Sequence, residues 1–552
     1  PAERPPAQPP EPEPVQRRHA QEQAPPSAPR RRRQEPQEPE PRPAPRRRAP
    51  EPAPRHLDES GPEQSGPQDL PDEPFVPEPR RRRDGRGITA HPAVATAMRV
   101  AGHRYGAGVI VLVAALAIYG IAEISRPDPA RTPAGGTAPV DAGLLACPES
   151  GGGRVGVVSA GTGAGESQVG ALNGGALGKV GAGGVWSADG VKKGGVVVRS
   201  TGGAAVGLAA DVTVRGKNGI GGMRCGAPAT EHWFMTPGAG DGKIDLYLTN
   251  IDDREASVDV IAVSDTGSLD TPDGRALQVE PHSTRIVSMG RSADGLGLLA
   301  ADSHMLGIKV SSTSGRVVAG VKADLGDKGF DWAPESVAPA TTVVLPGVPG
   351  GSGRRTLYVD VPGENDARVK VQAVTASGTF VPEGQDVLDA PAQTVTPLDL
   401  EDALVGKPAA LILTSDRPIV AGFQSGGDDV SLGAGAEPLT GAATLADARE
   451  GSSLLLTATT GPAKVRVTPL TKTGRGEPRE FDVQGGRTLE IPQDSDGLIV
   501  EPVSGTVYGA RVITIKGGKK GKERFVTVQP LTPTPLAYRL PPVADSLTAI
   551  VR

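Results

Sequence analysis

Apolar residues recur at every second position in three stretches of this chain: ASVDVIAV (256–263), ARVKVQAV (367–374) and AKVRVTPL (463–470). Alternation of period two puts one apolar edge on one face of an extended chain, so each stretch predicts a half-buried β-strand. Gly, Asp and Pro punctuate the runs every few residues, as turns between short strands require. The alternation belongs to a longer repeat. DLYLTNIDDREASVDVIAVSDTG (245–267) aligns without a gap on TLYVDVPGENDARVKVQAVTASG (356–378), an offset of 356 − 245 = 111 residues. Leu246, Tyr247, Ala256, Val258, Val260, Ala262, Val263 and Gly267 each meet an identical residue. SLLLTATTGPAKVRVTPLTKTG (453–474) matches the same pattern with one residue deleted. The Asn-Ile-Asp-Asp turn of the first copy becomes VPGE (361–364) in the second, while the alternating positions stay. What recurs is the buried face of a hairpin, and function has to be sought in what the copies do not share.

The resemblance runs past the hairpin into closing strands, LGIKVSSTSGRVVAGV (306–321), AALILTSDRPIVAGF (409–423) and the looser GLIVEPVSGTVYGARV (497–512). Each unit then spans about 100 residues and offers six or seven short strands, the size of a two-sheet, immunoglobulin-like sandwich. The expected fold is therefore an all-β region of tandem β-sandwich modules. The alternative is a β-propeller in which each unit supplies two four-stranded blades. The boundaries read as a Gly/Ala-rich β module at 142–230, then repeats at 231–334, 335–430 and 431–552, the last with C-terminal strands.

Upstream the pattern changes twice. Residues 1–86 are Pro, Arg, Glu and Gln with almost no apolar side chains, which cannot bury enough surface to offset ordering entropy. The expectation is a disordered tail over 1–104. Residues 105–122, YGAGVIVLVAALAIYGIA, carry no charge and reach roughly 27 Å as a helix, so a transmembrane helix is expected over 105–124. The polar stretch ahead of it is far too long for the n-region of a cleaved signal peptide. SRPDPARTPAGGTAPVD (125–141) reads as a linker.

Charge gives this layout a direction. Residues 1–104 hold 19 Arg and 16 acids, a balance of +3, and the remainder holds 40 bases and 48 acids, a balance of −8. Arg80–Arg83, Arg86, Arg99 and Arg104 lie on the N-terminal side of the apolar run. The positive-inside rule then places the N-terminus in the cytoplasm and exports the β region. Cys147 and Cys225 are the two cysteines of the chain, both on the exported side. One disulfide between them is expected, contributing roughly 4 kcal/mol in the chain-entropy model.

Motifs that carry chemistry are largely missing from the sequence. His232, His282 and His304 follow no strong metal-ligand spacing, no G-x-S-x-G elbow occurs, and GGALGKV (174–180) lacks the Ser or Thr that a phosphate loop needs after its Lys. No cofactor, no metal and no catalytic residue is expected. A paired-carboxylate glycosidase stays open, because its two acids need no fixed spacing. Aromatics are scarce, so Trp233, Phe234 and Trp332 are candidate sugar-stacking or interface residues. KGGKKGKERF (516–525) offers Lys516, Lys519, Lys520, Lys522 and Arg524 to anionic wall polymers or headgroups.

CGAPATEHWFM, DLYLTN, VVLPGVP, SDRPIVAGF and the terminal SLTAIV resemble an actinobacterial family of membrane-anchored envelope proteins whose domain is of unknown function. The resemblance covers about 142–552 and implies a cell-envelope setting alongside glycosyltransferase genes; it supplies no catalytic residue. The resulting expectation is a non-enzymatic, single-pass, cell-membrane scaffold or adaptor whose exported domains bind an envelope protein or a wall glycopolymer. Two rivals stand beside it: an enzyme acting on envelope glycans, and an adaptor recruiting cytoplasmic machinery through its Arg/Pro-rich tail. Nucleic acid is not an expected partner, because the arginines of the tail are interleaved with acids.

Overall fold

The computed structural model describes residues 106–124, 136–518 and 521–540. The expected tail, most of the linker, Lys519, Lys520 and the SLTAIV motif lie outside the described residues. A helix covers Gly106–Ile124. Its described side chains stop at residues 108 and 121, and Val109, Leu112, Ile118 and Ile121 among them are all more than half exposed. Among the described residues no helix is long and apolar enough to cross a membrane.

The second body begins at Tyr119, and its described residues past the helix are mostly β-strand. Its second module shows the plan. One sheet has the order Glu231–Pro237, Met305–Ser314, Ala256–Ser264, Leu277–Val279; the other has Ser283–Ser288, Lys243–Asn250, Val318–Asp324, Phe330–Ala333. All pairings are antiparallel. Alternation does what the sequence implies: Ala256, Val258 and Val260 turn inward, while Ser257 and Asp259 turn away. These residues meet Leu246, Leu248, Ile308 and Val321 in one core between the two sheets.

The same strand order recurs in all four modules. In the third and fourth, long strands such as Ala409–Ser425 and Arg487–Ser504 pass through both sheets, merging two short strands into one. The first module follows the plan as well, with sheets ordered Ala142–Cys147, Val196–Thr201, Glu166–Ala171, Ala176–Gly181 and Val185–Ala188, Arg154–Val158, Ala209–Arg215, Ile220–Arg224. Its Gly and Ala replace the branched side chains that made the other copies recognisable, and Cys147 and Cys225 are joined by a disulfide.

The expectation of separate tandem sandwiches needs correction. Each module shares apolar contacts with both neighbours, and the fourth returns to the first. Ala146 and Val197 pack on Ile251 and Val318. Trp233, Met235 and Val263 pack on Tyr358, Val395 and Val420. Ala510, Val512 and Val528 join the core of the third module. Val158 and Ala209 pack on Ala446, Leu470 and Ile499. These contacts close the four modules of the all-β body into a ring. The strand order within each sheet differs from a simple meander. A short pairing of Thr137–Pro139 with Ala537–Arg539 adds a clasp between segments nearly 400 residues apart.

Closing the ring creates an electrostatic problem at its centre. The last strand of each module, Ile220–Arg224, Phe330–Ala333, Ser431–Ala434 and Glu523–Pro530, has a sheet partner on one side only, and the four neighbour one another in a cycle. Their inward amides need acceptors, because a buried N–H without one costs as much as a lost hydrogen bond. Two aspartates supply them. Asp331 Oδ1 accepts from Gly222 N at 3.1 Å, Trp332 N at 2.9 Å and Thr527 Oγ1 at 2.8 Å, and its Oδ2 accepts from Leu432 N at 3.0 Å. One carboxylate thereby ties all four strands.

Asp429 repeats the device one layer along, accepting from Ile220 N at 2.9 Å and Val430 N at 2.8 Å, and from the amides of Val526 and Phe330. Gly329 is required here: a Cβ on it would lie 1.9 Å from Asp429 Oδ1, and its φ is +90°. Burial pushes Asp429 up to about 7 and Asp331 well above the carboxylate range, with the donated hydrogen bonds pulling the other way.

Candidate functional site

The repeat shows where one copy departs from the others. Thr249 in the second module and Thr457 in the fourth end equivalent strands, and each bonds a cross-strand threonine: Thr249 to Thr284 at 2.9 Å, Thr457 to Thr488 at 2.8 Å. In the third module the register pairs Asp360 with Val395. A hydroxyl pair that satisfies itself is replaced by a carboxylate opposite a hydrocarbon. Asp360 is 1% exposed and neither of its oxygens has a hydrogen-bond partner. Burial alone pushes its carboxyl up to about 7.

Asp360 lines a cleft of about 660 Å³ between the second and third modules. Gly307 makes room for it, since a Cβ there would come within 2.5 Å of Asp360 Oδ2. Trp233 lines the same cleft, its indole N–H donating to Glu231 Oε1 at 2.8 Å while the Lys309 ammonium lies 5.0 Å from its ring centroid. That indole bond holds the Glu231 carboxyl below the usual range. The rest of the lining mixes charges and amides, among them Asp270, Glu364, Asn365, Gln393 and Arg417. Asp270 is clamped by Arg275 at 2.7 Å, so Asp360 stands apart as the buried acid without a partner. A carboxyl near 7 both donates and accepts close to neutrality, which suits hydroxyl-bearing ligands and general acid or base work.

The candidate aromatics do not form one platform. Neighbours on a strand face opposite ways, so Trp233 packs in the contact between modules while Phe234 sinks into its own module's core, 2% exposed. Trp332, also 2% exposed, sits against Tyr247 with ring centroids 5.1 Å apart. A stacking platform needs an open ring face, and burial removes it at Phe234 and Trp332. Lys516, near the end of the strand Val507–Gly517, and Lys522, just before Glu523–Pro530, are exposed. Arg524 is half-buried, its guanidinium spent on the Gly350 carbonyl and its amide on Asp428. Among the described residues no three His, Cys, Asp or Glu side chains are grouped to hold a metal ion.

No motif marks Asp360, yet the sequence carries its signal: the aligned copies read Thr249, Asp360 and Thr457 at one position. Residues 185–493 match the profile of a family of unknown function (DUF5719). No curated protein matches the chain. Among solved structures, the tetra-tandem repeat in the extending region of a large adhesion protein aligns at 12% identity over 72% of this chain and 95% of its own, with a TM-score of 0.09, too low to bear on the fold.

Proposed function

The chain belongs to the family of unknown function DUF5719, and from that premise we propose that it is a membrane-anchored scaffold of an actinobacterial cell envelope, binding a wall glycopolymer at the Asp360 cleft. The uncharged run 105–122, with arginines before it, supports a single-pass anchor with the N-terminus inside. The Cys147–Cys225 disulfide suits an oxidising compartment. The observation that carries the binding role is Asp360, a buried acid that one copy of the repeat keeps at a position where two others have a self-satisfied threonine.

Two measurements test this. Protease shaving of intact cells should remove the β region and spare the tail; protection of the β region with loss of the tail would reverse the orientation. Purified wall polysaccharide should bind the full chain, and Asp360→Thr should weaken that binding about tenfold, the worth of one hydrogen bond to an ionisable group. Equal binding by both proteins would remove the cleft from the proposal.

A second reading is favoured by the raised ionisation range of the same side chain: an enzyme cleaving envelope glycans with Asp360 as general acid. It expects release of new reducing ends from wall polysaccharide, lost in Asp360→Asn. Binding without release at any pH between 5 and 8 would leave the scaffold alone.

A further inference from the structure

A second cavity, of about 270 Å³, lies where the first, second and fourth modules meet, and it collects donors that have nothing to donate to. Its walls are largely apolar, with Leu145, Leu208, Met223, Phe234, Pro530 and Pro533 among them. Three side chains in the lining carry buried nitrogens without a partner: Arg224 Nη1, Trp332 Nε1 and Gln529 Nε2. Trp332 is 2% and Gln529 3% exposed. Leaving one such group bare is costly; three in a single cavity mark a place built for an acceptor.

The orientation of each donor is held from behind. Arg511, fully buried, donates to Gln529 Oε1, which fixes the amide and leaves its NH₂ free. Arg511 also donates to the carbonyls of Ala446 and Asp447. Arg224 spends Nη2 on the Thr444 carbonyl at 2.9 Å, leaving Nη1. The charges do not balance. Arg224 and Arg511 share one buried acid, Asp211, which lies 3.8 Å from Arg511 Nη2 and accepts from Ala446 N at 2.8 Å through its other oxygen. Two guanidiniums and one carboxylate leave an excess of +1. Glu335, the acid in the lining, is half exposed and paired with His232 at 2.9 Å.

We propose that this cavity binds a small aliphatic monocarboxylate, its carboxylate taking hydrogen bonds from Arg224, Gln529 and Trp332 and its hydrocarbon lying against the proline and leucine walls. A monoanion cancels the excess charge, and two oxygens with four lone pairs match three donors. The small volume selects a short chain.

Equilibrium dialysis of radiolabelled hexanoate against the purified full chain in non-ionic detergent, with a detergent-only chamber as reference, tests the proposal directly. Saturable binding of one hexanoate per chain is expected, with hexanol at least about tenfold weaker because it lacks the charge. Trp332→Phe removes one donor while keeping a smaller aromatic ring in place, and should weaken hexanoate about tenfold. Gln529→Glu keeps the oxygen facing Arg511 but sets a second acceptor against the ligand, and should abolish binding. The comparison of hexanoate with hexanol needs no variant, so a misfolded mutant does not rescue or sink the idea. Absence of saturable hexanoate binding, equal binding of hexanol, or wild-type affinity in both variants would overturn it, leaving water as the partner of the three donors.

Discussion

Asp331→Ala is expected to lower the unfolding free energy by about 5 kcal/mol. The side chain is fully buried and accepts from Gly222, Trp332, Leu432 and Thr527, one donor from each of the four modules. Truncation leaves four buried donors without acceptors, at about 1–3 kcal/mol each, offset in part by no longer burying an acid. Asp331→Asn is the informative companion. Its amide oxygen still serves the three donors on Oδ1, while its NH₂ confronts Leu432 N, so about 2 kcal/mol should be lost. Denaturant titration of both variants measures this. Loss of less than about 1 kcal/mol in the alanine variant would mean that the four strands hold together without their central acceptor.

Asp360→Thr works in the opposite direction, and only above mildly acidic pH. Its carboxyl shifts from 3.8 unfolded to about 7 folded, so the folded protein binds the proton more tightly. Stability from this group is present in full below about pH 4, falls as pH rises towards 7, and is flat beyond. The shift corresponds to roughly 4 kcal/mol at about 1.4 kcal/mol per unit. Threonine has no charge to bury; its hydroxyl faces Val395 instead of the cross-strand threonine that Thr249 and Thr457 have, a cost that does not vary with pH. The variant should therefore gain up to roughly 4 kcal/mol on the wild type between pH 4 and pH 8. Asp429 and Asp331 titrate in both proteins and cancel in the comparison. A stability difference that stays constant across that range would show that the Asp360 carboxylate finds solvent or a counter-charge.

Local pattern and long-range closure were unequally legible. Strands such as Ala256–Ser264 announce themselves because alternate residues face one core, a relation contained within nine residues. Gly and Ala hid the first module, since small side chains fill the same inward positions without the branched signature. Ring closure left no local trace: Asp211 meets the amide of Ala446 across 235 positions, and nothing near either residue marks the other. The aromatic pair Trp233-Phe234 was readable as a pair of residues and misleading as a unit, because strand geometry sends the two rings into different interfaces. Asp360 is legible at a single aligned position, where the other copies carry Thr249 and Thr457. The donors of Arg224, Trp332 and Gln529 were not readable, since what distinguishes them is a missing partner in three dimensions.

The seam between the fourth module and the first also sets a schedule. During synthesis the strands Ala209–Arg215 and Ile220–Arg224 are made long before Ala443–Ala458 and Val507–Gly517, against which they close through Ala209 with Ala446 and Ile220 with Ile513. Until then Asp211 and Arg224 have only water as partners, and the inner edges of the early modules stand open. Joining such distant segments costs loop entropy that is repaid only when the last module docks, which slows the final step and leaves a long interval with unpaired strand edges. The ionic character of Asp211, Arg224 and Arg511 suits that interval. Charged edges stay hydrated and resist pairing with the wrong chain while they wait, and surrender their water only to the matched partner.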